Sequence, residues 1–550
     1  MNERPKVLIV GAGPTGLVMA HELARDGIRC RLIDKAPHRA MESRAIAIHS
    51  RTMESLELMG LADDFLAVGQ HITGVNLYGD AGRIAHADFS MLETRYPGVL
   101  GVPQDETERL LGEHLAKLGV VVERNTELIG LTQRASGVSV RLHKDDRIEE
   151  FDTDWVMGCD GAHSAVRDQL GISFSGSTYP EHFVLADIKV EGGIDRNEAQ
   201  VWLGAGGALA FFPLPEDLWR LIVTNSPADW KGQPSLAQCQ ALLDERDLAR
   251  LRLVDPRWTA VFRIHRREAE QFHRDRVFLL GDAAHIHSPV GGQGMNMGIQ
   301  DAFNLGWKLS LVIRNISDPK LLDSYEAERR PVDEAVIRQT DRATRLVSLH
   351  GTFTRFIRDH MMALLTRLPG FEERLGEGIS GIAINYRRSA IVEDHRNGTA
   401  DLTAGDRAPD APLVSTKGGA SRRLYQLFAE HRHVLLLLGD PAEGMAAPLL
   451  RYPESVLAVS RIVPPGVVGG DYVDREGIVA QRYAPSPAAY LIRPDGYVGF
   501  RGDRDTVTTH LPHYLAELFS PVKLAVPVER PSPGSSGLLD SWDRAGNMRI

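Results

Sequence analysis

The feature that most constrains the fold is a glycine-rich turn between a short apolar run and a helix. Residues 6–10 form the apolar run, GAGPTG follows at residues 11–16, and a helical pattern continues to about Asp26. A second apolar run over residues 29–33 ends at Asp34. This order predicts a βαβ unit whose strands are buried on both faces of a parallel sheet. We therefore predict an α/β fold, or an α+β composite, around a Rossmann-type domain.

Each glycine of this turn has a physical use. Gly11 permits the tight turn, Gly13 lets the backbone approach a pyrophosphate, and Gly16 lets helix and strand pack closely. The helix N-terminus offers N–H donors to phosphates, and Asp34 can accept hydrogen bonds from ribose hydroxyls. The alternative is a glycine-rich turn without a ligand. The correct placement of strand, helix and acid favours dinucleotide binding, without choosing between NAD and FAD.

A second motif favours FAD. Gly281-Asp282 closes a buried strand, Pro289 follows, and GGQGMN at residues 291–296 leads into a helix predicted to run from about Gly294 to Arg314. Backbone N–H groups and a helix N-terminus beside a flat ligand would stabilise negative charge at the N1–C2=O edge of a reduced flavin. The alternative is an ordinary strand–loop–helix junction.

A third motif is Asp160-Gly161, which also lies where a strand passes into a helix. Ser164 or His163 could simply cap that helix, and Arg167 could be an ordinary surface charge. Taken alone, this segment leaves the structural and the ligand-binding interpretations open.

Charge and cysteine content exclude several classes of protein. The net charge is -10 with a pI of about 6.1, which argues against nucleic acid as a partner. Cys30, Cys159 and Cys239 are far apart and form no CxxC, so neither a disulfide framework nor a zinc site is expected. This usage fits a reducing cytoplasm. No targeting signal and no run of about 20 apolar residues is found, so we expect no membrane span.

The three motifs in order resemble the flavoprotein aromatic hydroxylases built on the p-hydroxybenzoate hydroxylase fold. The segments over residues 48–54 and 296–309 are especially similar to the branch of pentachlorophenol monooxygenase and phenol hydroxylase. The resemblance covers residues 5–390. Residues 400–525 are similar to the thioredoxin-like C-terminal domain of that branch.

The resemblance implies an organisation of the chain. We expect an FAD-binding domain and a β-sheet substrate domain that alternate, followed by a thioredoxin-like domain without CxxC. The predicted segments are FAD-binding over 1–72, 101–174 and 273–395 (the last with a helical region), substrate sheet over 73–100 and 175–272, linker over 396–412, thioredoxin-like domain over 413–527 and loose tail over 528–550. Because a redox thioredoxin needs its CxxC, we predict a structural or dimer-contact role for the last domain. A homodimer is the candidate assembly.

The resemblance also implies the residues that hold FAD. Asp34 stands where a Glu is commoner, which should not change its role. The implied cofactor-binding residues are Gly11, Gly13, Pro14, Thr15, Gly16, Asp34, Lys35, Arg44, Gln104, Asp160, Gly161, Gly281, Asp282, Pro289, Gly292, Gly294, Met295 and Asn296.

The implied activity is that of a single-component monooxygenase. NADPH or NADH would reduce FAD, O₂ would give a C4a-hydroperoxide, and a phenolic ring would be hydroxylated, with or without loss of a ring substituent. The segment over residues 204–207 lacks a third glycine and is rejected as a second nucleotide site. Alternatives are a flavin-dependent halogenase, although its WxWxIP segment is absent, and a flavoprotein that only oxidises NAD(P)H.

Catalytic candidates are few, because the cofactor carries most of the chemistry. The resemblance favours the Pro289 carbonyl for substrate contact, and His49, His285 and His287 are candidate proton handlers, with His49 and His287 preferred. His285 and His287 look like a metal pair, but no carboxylate or third histidine is close in sequence, so no metal is expected. A structural hydrogen bond is the alternative for His285.

Four aromatic residues of the predicted substrate sheet could line an aromatic pocket. The same alternating spacing more often produces core packing, so both roles stay open. These residues are Trp202, Phe211, Phe212 and Trp219.

Overall fold

The fold is known from a computed structural model. It describes residues 4–39, 45–80, 82–204, 206–224, 230, 233–289, 291–347, 371–396, 402–439, 452–483 and 487–519. Arg44 and the predicted tail over residues 528–550 lie outside these ranges.

A six-stranded sheet forms the centre of the N-terminal part and confirms the predicted Rossmann-type domain. Its neighbouring strands are parallel, except that His273–Arg274 runs antiparallel to Val277–Leu279. Residues 7–10 are buried on both faces of the sheet. The helices Pro14–Ala24 and Gly294–Ile313 pack against each other beside it. In spatial order the strands are His273–Arg274, Val277–Leu279, Trp155–Gly158, Val7–Val10, Cys30–Ile33 and Val122–Glu123.

Two smaller antiparallel sheets flank this one. The segment Trp155–Gly158 follows the first of them in sequence but joins the parallel sheet instead, because its four buried residues need cover on both faces. One small sheet contains Thr126–Arg134, Gly137–Lys144 and Arg147–Thr153, and the other contains Ala47–His49, Val99–Gly101 and Gln70–Ile72.

An eight-stranded, mostly antiparallel sheet lies where the substrate sheet is predicted. Helix Leu236–Asp244 covers one of its faces, and the loop strand His285–Ile286 of the second motif joins its edge. In spatial order the strands are His285–Ile286, Arg252–Ala269, Phe174–Glu191, Leu218–Thr224, Gly207–Pro213, Glu198–Gly204, Gly74–Gly79 and Gly82–Asp88.

Further helices connect these sheets. Helix Ser50–Met59 ends at Gly60, whose φ of 78° is the left-handed conformation common at helix C-termini. Among the described residues, no helix combines the length and the apolar character needed to cross a membrane. The other helices among the described residues are Ala62–Val68, Gln104–Lys117, Ala165–Gln169, Asp323–Val347 and Phe371–Ser380, with 3-10 turns at Gly281–Ala283 and Pro319–Leu322.

The C-terminal part is a second eight-stranded sheet with helices packed on it. Three of its helices are Leu424–Phe428, Ile478–Tyr483 and Arg504–Leu518. In spatial order its strands are Glu393–His395, Val498–Asp503, Ala488–Ile492, His433–Leu438, Leu457–Val463, Tyr472–Val473, Pro412–Ser415 and Ser421–Arg423.

The prediction of a linker over residues 396–412 is wrong for the part that the structure describes. Ala404 and Ala408 are buried, and the Ala408 N–H donates to the Gly496 carbonyl at 2.9 Å. The Gly, Asp, Ala and Pro content suggested a linker, but small side chains also let this segment pack closely on a neighbouring hairpin.

Candidate cofactor and substrate site

The three sequence motifs meet at one edge of the parallel sheet. Their strands are adjacent, with Val10 opposite Gly158 and Gly158 opposite Leu279. The GAGPTG turn, Asp160-Gly161 and Gly281-Asp282 therefore follow three neighbouring carboxyl ends. Ligands of open α/β sheets bind outside these ends.

The first turn packs directly on the third motif. Gly11 has a φ of 99°, and a Cβ there would lie 2.3 Å from the Cys159 carbonyl oxygen. A Cβ on Gly16 would lie 1.9 Å from the Gly11 carbonyl oxygen. Glycine is therefore required at both positions by close backbone contact, as the motif predicts.

The first turn is also held by the second motif. A Cβ on Gly281 would lie 2.7 Å from Thr15 Oγ1, and a Cβ on Gly298 would lie 2.3 Å from the same atom. The two glycines thus form a gap that the Thr15 side chain fills. This contact fixes helix Pro14–Ala24 against the start of helix Gly294–Ile313.

The space beside the three motifs is open and offers N–H donors. A Cβ added to Gly13, Gly161 or Gly294 would meet no protein atom within 4 Å. Neither long helix has a side-chain cap, since Gly13 and Gln293 make no such hydrogen bond. Uncapped N–H groups that face open space suit phosphate oxygens and flavin carbonyls. The residues present therefore fit FAD.

Asp34 organises the first turn from the end of the second strand. Its carboxylate accepts hydrogen bonds from the N–H groups of Ala12 and Ala36, both at 2.8 Å. An ionised carboxylate has about four acceptor sites, so these bonds leave capacity for ribose hydroxyls. The neighbouring Lys35 is exposed.

Asp160 and Ser164 cap the helix that follows the third motif. Ser164 donates to the Asp160 carboxylate at 2.6 Å and accepts from the Arg167 N–H at 3.0 Å. Asp160 also accepts from the Val166 N–H at 3.1 Å, while burial raises the pKa of its carboxyl. The capping interpretation is therefore confirmed for Ser164.

Arg167 is not a surface charge. It is 5% exposed and donates to the carbonyls of Ala162 and Ala283, both at 3.0 Å. Its guanidinium lies 3.9 Å from the ring centre of Phe174. Arg167 thus ties the third motif to the second, a role that only tertiary contacts reveal.

Asn296 shapes the loop of the second motif. Its amide donates to the carbonyls of Gly292 at 2.8 Å and Ala47 at 2.9 Å, and its oxygen accepts from the His49 N–H at 3.0 Å. His49 Nε2 lies 2.8 Å from the Gly291 carbonyl oxygen. The predicted cofactor residue Asn296 therefore supports the loop from behind.

The other predicted site residues differ in exposure and in their hydrogen bonds. The Pro289 carbonyl, predicted to contact substrate, accepts from the Gly292 N–H at 2.9 Å. Asp282 is exposed at the start of a 3-10 turn, and Met295 is half-buried. Gln104, another of the predicted cofactor-binding residues, accepts a hydrogen bond from the Ala45 N–H at 3.3 Å.

The imidazole of His49 is buried at this loop, and that of His287 is half-buried. Burial lowers the pKa of each to about 4, so both are neutral near pH 7. His287 Nδ1 lies 2.8 Å from the Ser288 carbonyl, as His49 Nε2 does from Gly291. Among the described residues, neither His49 Nδ1 nor His287 Nε2 has a partner. Each ring therefore leaves one nitrogen able to accept a proton.

Behind the loop lies a buried charge cluster that the sequence interpretation missed. His285 Nε2 lies 2.8 Å from the Asp301 carboxylate and 3.3 Å from that of Asp333. Arg329 donates to Asp301 at 2.7 Å and lies 3.4 Å from Asp333. Asp301 also accepts from the Gly281 N–H at 2.9 Å. Asp301 and Asp333 are far from His285 in the sequence and lie on two different helices. The packing of these helices forms the cluster, so no local sequence pattern indicates it.

The cluster has the donor types of a metal site but already contains a cation. The ligand atoms of His285, Asp301 and Asp333 lie within 4.8 Å of one another. The Arg329 guanidinium contacts both carboxylates and supplies the positive charge that they need. Burial lowers the pKa of His285, but the carboxylates of Asp333 and Asp301 outweigh it and raise that pKa to about 9. The structural hydrogen bond offered as the alternative for His285 is present.

Three of the four candidate pocket aromatics lie in the core beneath helix Leu236–Asp244. The ring of Phe211 makes edge contacts with those of Trp202 and Trp219, each with 6.1 Å between ring centres. Phe211 and Trp219 are almost fully buried there. This packing matches the core role that their spacing also allowed.

Phe212 points to the opposite face of the sheet, on the side of Ile46 and of the loop over residues 291–296. This loop is called the cofactor loop below. It packs with Ile46, Leu214 and Leu218. Ile46 immediately precedes the strand whose backbone Asn296 binds. Phe212 is therefore the one aromatic candidate on the side that carries the loop.

Comparison with known proteins agrees with this geometry. Residues 4–340 match the family model described as FAD binding domain, and residues 401–521 match that described as aromatic-ring hydroxylase, C-terminal. The 6-methylpretetramide 4-monooxygenase of Streptomyces rimosus is 34% identical over 515 residues, 92% of this chain and 92% of that protein. Pentachlorophenol 4-monooxygenase of Sphingobium chlorophenolicum is 34% identical over 520 residues, 91% of this chain and 94% of that protein.

Solved structures give the same result. The anhydrotetracycline hydroxylase OxyS from Streptomyces rimosus is similar with a TM-score of 0.77 at 33% identity. The match covers 94% of this chain and 99% of that one. The likeness therefore extends through the C-terminal sheet.

Proposed function

Because the chain belongs to the FAD-dependent aromatic-ring hydroxylases, we propose that it is a single-component monooxygenase that uses NAD(P)H and O₂ to hydroxylate a phenolic ring. The observation that carries the proposal is the meeting of three glycine-containing turns at one open sheet edge. When bound there, FAD would accept a hydride and activate O₂ for transfer of one oxygen atom.

The residues around the edge have separable tasks in this proposal. The first turn and Asp34 hold the ADP half of FAD, and the loop over residues 291–296 lies beside the flavin ring. Asn296 and His49 keep the loop backbone in place, so its N–H groups are preorganised for negative charge on the ring. NAD(P)H would approach the flavin without a second dinucleotide motif in this segment, where Gly204 and Gly207 pair across two antiparallel strands.

We place the phenolic substrate between the loop and the sheet face that carries Phe212. Strand alternation puts Leu185, Ala210 and Ile222 on this same face, opposite the core beneath helix Leu236–Asp244. The same face also carries the buried Arg220–Asp187 ion pair, with Arg220 directly opposite Phe212. The apolar side chains of the face suit an aromatic ring and exclude water, which would divert the activated oxygen to H₂O₂. The names of the two relatives describe action on a pretetramide and on a chlorinated phenol.

A phenol attacks an electrophilic oxygen better as its phenolate, so a proton acceptor near the ring helps. His49 Nδ1 and His287 Nε2 are the candidates, because both are neutral, buried and without a partner among the described residues. Their low pKa values make them weak bases. They would therefore relay the proton rather than keep it.

A phenol panel tests the proposal. Purified protein should be yellow, and it should consume NADPH or NADH faster with the right phenol. The product should gain one oxygen atom by mass, or exchange a ring substituent for hydroxyl. Parallel assays with catalase measure the H₂O₂ that uncoupled turnover releases.

The outcomes separate the alternatives. Peroxide with every phenol, and no oxygenated product, would refute hydroxylation and favour a flavoprotein that only oxidises NAD(P)H. A halogenated product in the presence of chloride or bromide would instead indicate a halogenase. Asp282→Ala should weaken FAD retention in either case, because Asp282 is exposed at the edge where the ribityl chain would lie.

A further inference from the structure

The turn of a C-terminal hairpin is buried in the N-terminal part of the molecule. This turn joins strands Ala488–Ile492 and Val498–Asp503, and residues 493–497 are called the C-terminal turn below. Arg493 is 1% exposed and donates to the Glu328 carboxylate at 2.7 and 3.0 Å. The Asp495 carboxylate accepts from Trp307 Nε1 at 3.1 Å.

The C-terminal turn thereby contacts the helix that begins at the cofactor loop. Trp307 lies on helix Gly294–Ile313, and so does Lys308, whose ammonium lies 2.8 Å from the Glu328 carboxylate. Arg493, Glu328 and Lys308 are all essentially without solvent exposure. Such a network is stable only when every member is paired, so it has one well-defined arrangement.

A second contact joins the C-terminal turn to helix Ser50–Met59, which follows His49. Arg51 donates to the Asp495 carbonyl at 2.6 Å and lies 4.7 Å from the ring centre of Tyr497. Arg51 is in helix Ser50–Met59, which starts directly after His49. His49 holds the Gly291 carbonyl.

A third contact leads to the second motif itself. The rings of Tyr497 and Tyr386 lie 4.4 Å apart between centres, and Arg329 donates to the Tyr386 hydroxyl at 3.2 Å. Arg329 holds Asp301, which accepts from the N–H of Gly281. A continuous buried path therefore connects the C-terminal turn with the backbone of the Gly281-Asp282 turn.

We propose that the C-terminal turn is a positioning element of the FAD site, acting through Glu328, Arg51 and the Tyr386–Arg329–Asp301 path. It sets the affinity for FAD and the fraction of NAD(P)H oxidation that ends in a hydroxylated product. The effect on affinity rests on family membership alone, whereas the effect on the product fraction rests on the proposed function.

The test compares two buried arginines of the same hairpin. Arg493→Gln removes the contact with Glu328. Arg501→Gln is the matched control. Arg501 is also buried, at 2% exposure, and it binds Asp394 at 2.9 Å and the Leu402 carbonyl at 2.6 Å. These contacts involve neither helix Ser50–Met59 nor helix Gly294–Ile313. FAD affinity is measured by flavin fluorescence on titration of the apoprotein, and apoprotein stability by thermal unfolding.

We expect both variants to unfold at a lower temperature, but only Arg493→Gln to weaken FAD binding, by about tenfold. Arg493→Lys should restore part of that affinity. Equal weakening in both variants, or none in Arg493→Gln, would overturn the proposal, since the C-terminal turn would then act only through general stability.

A second variant covers the case in which Arg493→Gln does not fold. Tyr386→Phe keeps the ring contact with Tyr497 and removes only the hydroxyl that Arg329 binds. It should fold, weaken FAD binding severalfold and raise the share of H₂O₂ among the products. Unchanged FAD affinity in this variant would also contradict the proposal.

A double-mutant cycle tests whether the path is continuous. Tyr386→Phe and Asp301→Asn, which both lie on the path, should affect FAD affinity non-additively, with the double variant departing by more than about threefold from the product of the single effects. Independent effects would reject coupling along the path. If no phenol is hydroxylated, these binding measurements still decide the proposal, so the two failures are distinguishable.

Discussion

At the scale of residues, glycines of the same turn have different duties. Gly11 faces the Cys159 carbonyl, so a side chain there strains the protein itself. Gly13 has an ordinary φ of -74° and open space beside it, so a side chain there costs the fold little. The fold requires glycine at position 11, whereas at position 13 we propose that glycine leaves room for the cofactor.

This difference gives a prediction. Gly11→Ala should lower the free energy of unfolding of the apoprotein by about 2 kcal/mol or more, from the left-handed backbone and the overlap. Gly13→Ala should leave apoprotein stability within about 0.5 kcal/mol but weaken FAD binding by about tenfold. Denaturant unfolding of apoprotein and flavin titration check the two effects. Gly13→Ala with unchanged FAD affinity would show that the cofactor does not approach this turn.

The buried His49 makes a pH-dependent contribution to stability. Its pKa is about 4 in the folded chain, whereas the unfolded chain takes up the proton near its ordinary value of about 6.5. The unfolded state therefore binds more protons between these values. The free energy of unfolding should fall as pH drops through this window, by up to about 3 kcal/mol for this group.

The measurement is the difference between wild type and His49→Gln. Burial also lowers the pKa of His287 and His433, which therefore destabilise the fold in the same direction on acidification. Urea unfolding from pH 7 to pH 4 should therefore show a shallower decline in the variant, not a flat one. Parallel curves would mean that His49 takes up its proton at the same pH in the folded and the unfolded protein.

At the scale of elements, one strand separates two roles in adjacent residues. On strand Gly207–Pro213, Phe211 points into the core beneath helix Leu236–Asp244, and Phe212 points to the opposite face, where it packs with Ile46. Alternation along a strand is visible in a sequence. The sequence does not show which of the two faces would border the proposed substrate site, because that depends on where helix and loop pack.

A matched pair of substitutions tests this division. Phe211→Ala should lower the free energy of unfolding by about 3–5 kcal/mol, since a large buried ring is lost. Phe212→Ala should destabilise less, because Phe212 is only half-buried, and should raise KM for the phenol and the yield of H₂O₂. Thermal unfolding and coupled turnover separate the two. If Phe211→Ala alone changed KM, the substrate would lie on the other face.

Other elements show where local sequence signals end. The helix Gly294–Ile313 agrees with its predicted range, because a long periodic run of apolar residues indicates a helix by itself. The four residues Trp155–Gly158 directly follow an antiparallel strand in the chain but pair with Val7–Val10 in the parallel sheet. A short apolar strand carries no local signal that names its partner.

At the scale of the whole molecule, the C-terminal sheet and the flavin-binding part share buried ion pairs. Arg493 with Glu328 is one such pair, and Arg407 with Glu54, 2.7 Å apart, is another. His431 adds a third contact, 2.9 Å from the Glu22 carboxylate. Separating the two parts would expose or unpair these charges, which is strongly unfavourable.

We therefore expect the chain to unfold as one cooperative unit. Thermal unfolding should give one transition, with loss of far-ultraviolet circular dichroism and release of flavin fluorescence at the same temperature. Two separated transitions would show that the C-terminal sheet is an independent domain. Arg407→Ala should lower the single transition temperature without splitting it.

The sequence by itself determined the cofactor class and the frame that holds it. Glycine at positions 11 and 16, Asp34, and the loop over residues 291–296 carry their own signal, because tight turns and close backbone contacts allow few residue types. These requirements act over short stretches of chain, so they can be recognised before any folding is known.

Only the tertiary structure decided which side chains support that frame. Arg167 could be a surface charge by its sequence context, and His285 gave no sign of Asp301 or Asp333. The segment over residues 402–412 is predicted as a linker but is partly buried, and no local pattern indicates that the turn at Arg493 is buried. Burial and charge pairing depend on groups hundreds of residues apart, and no local pattern specifies which of them will meet.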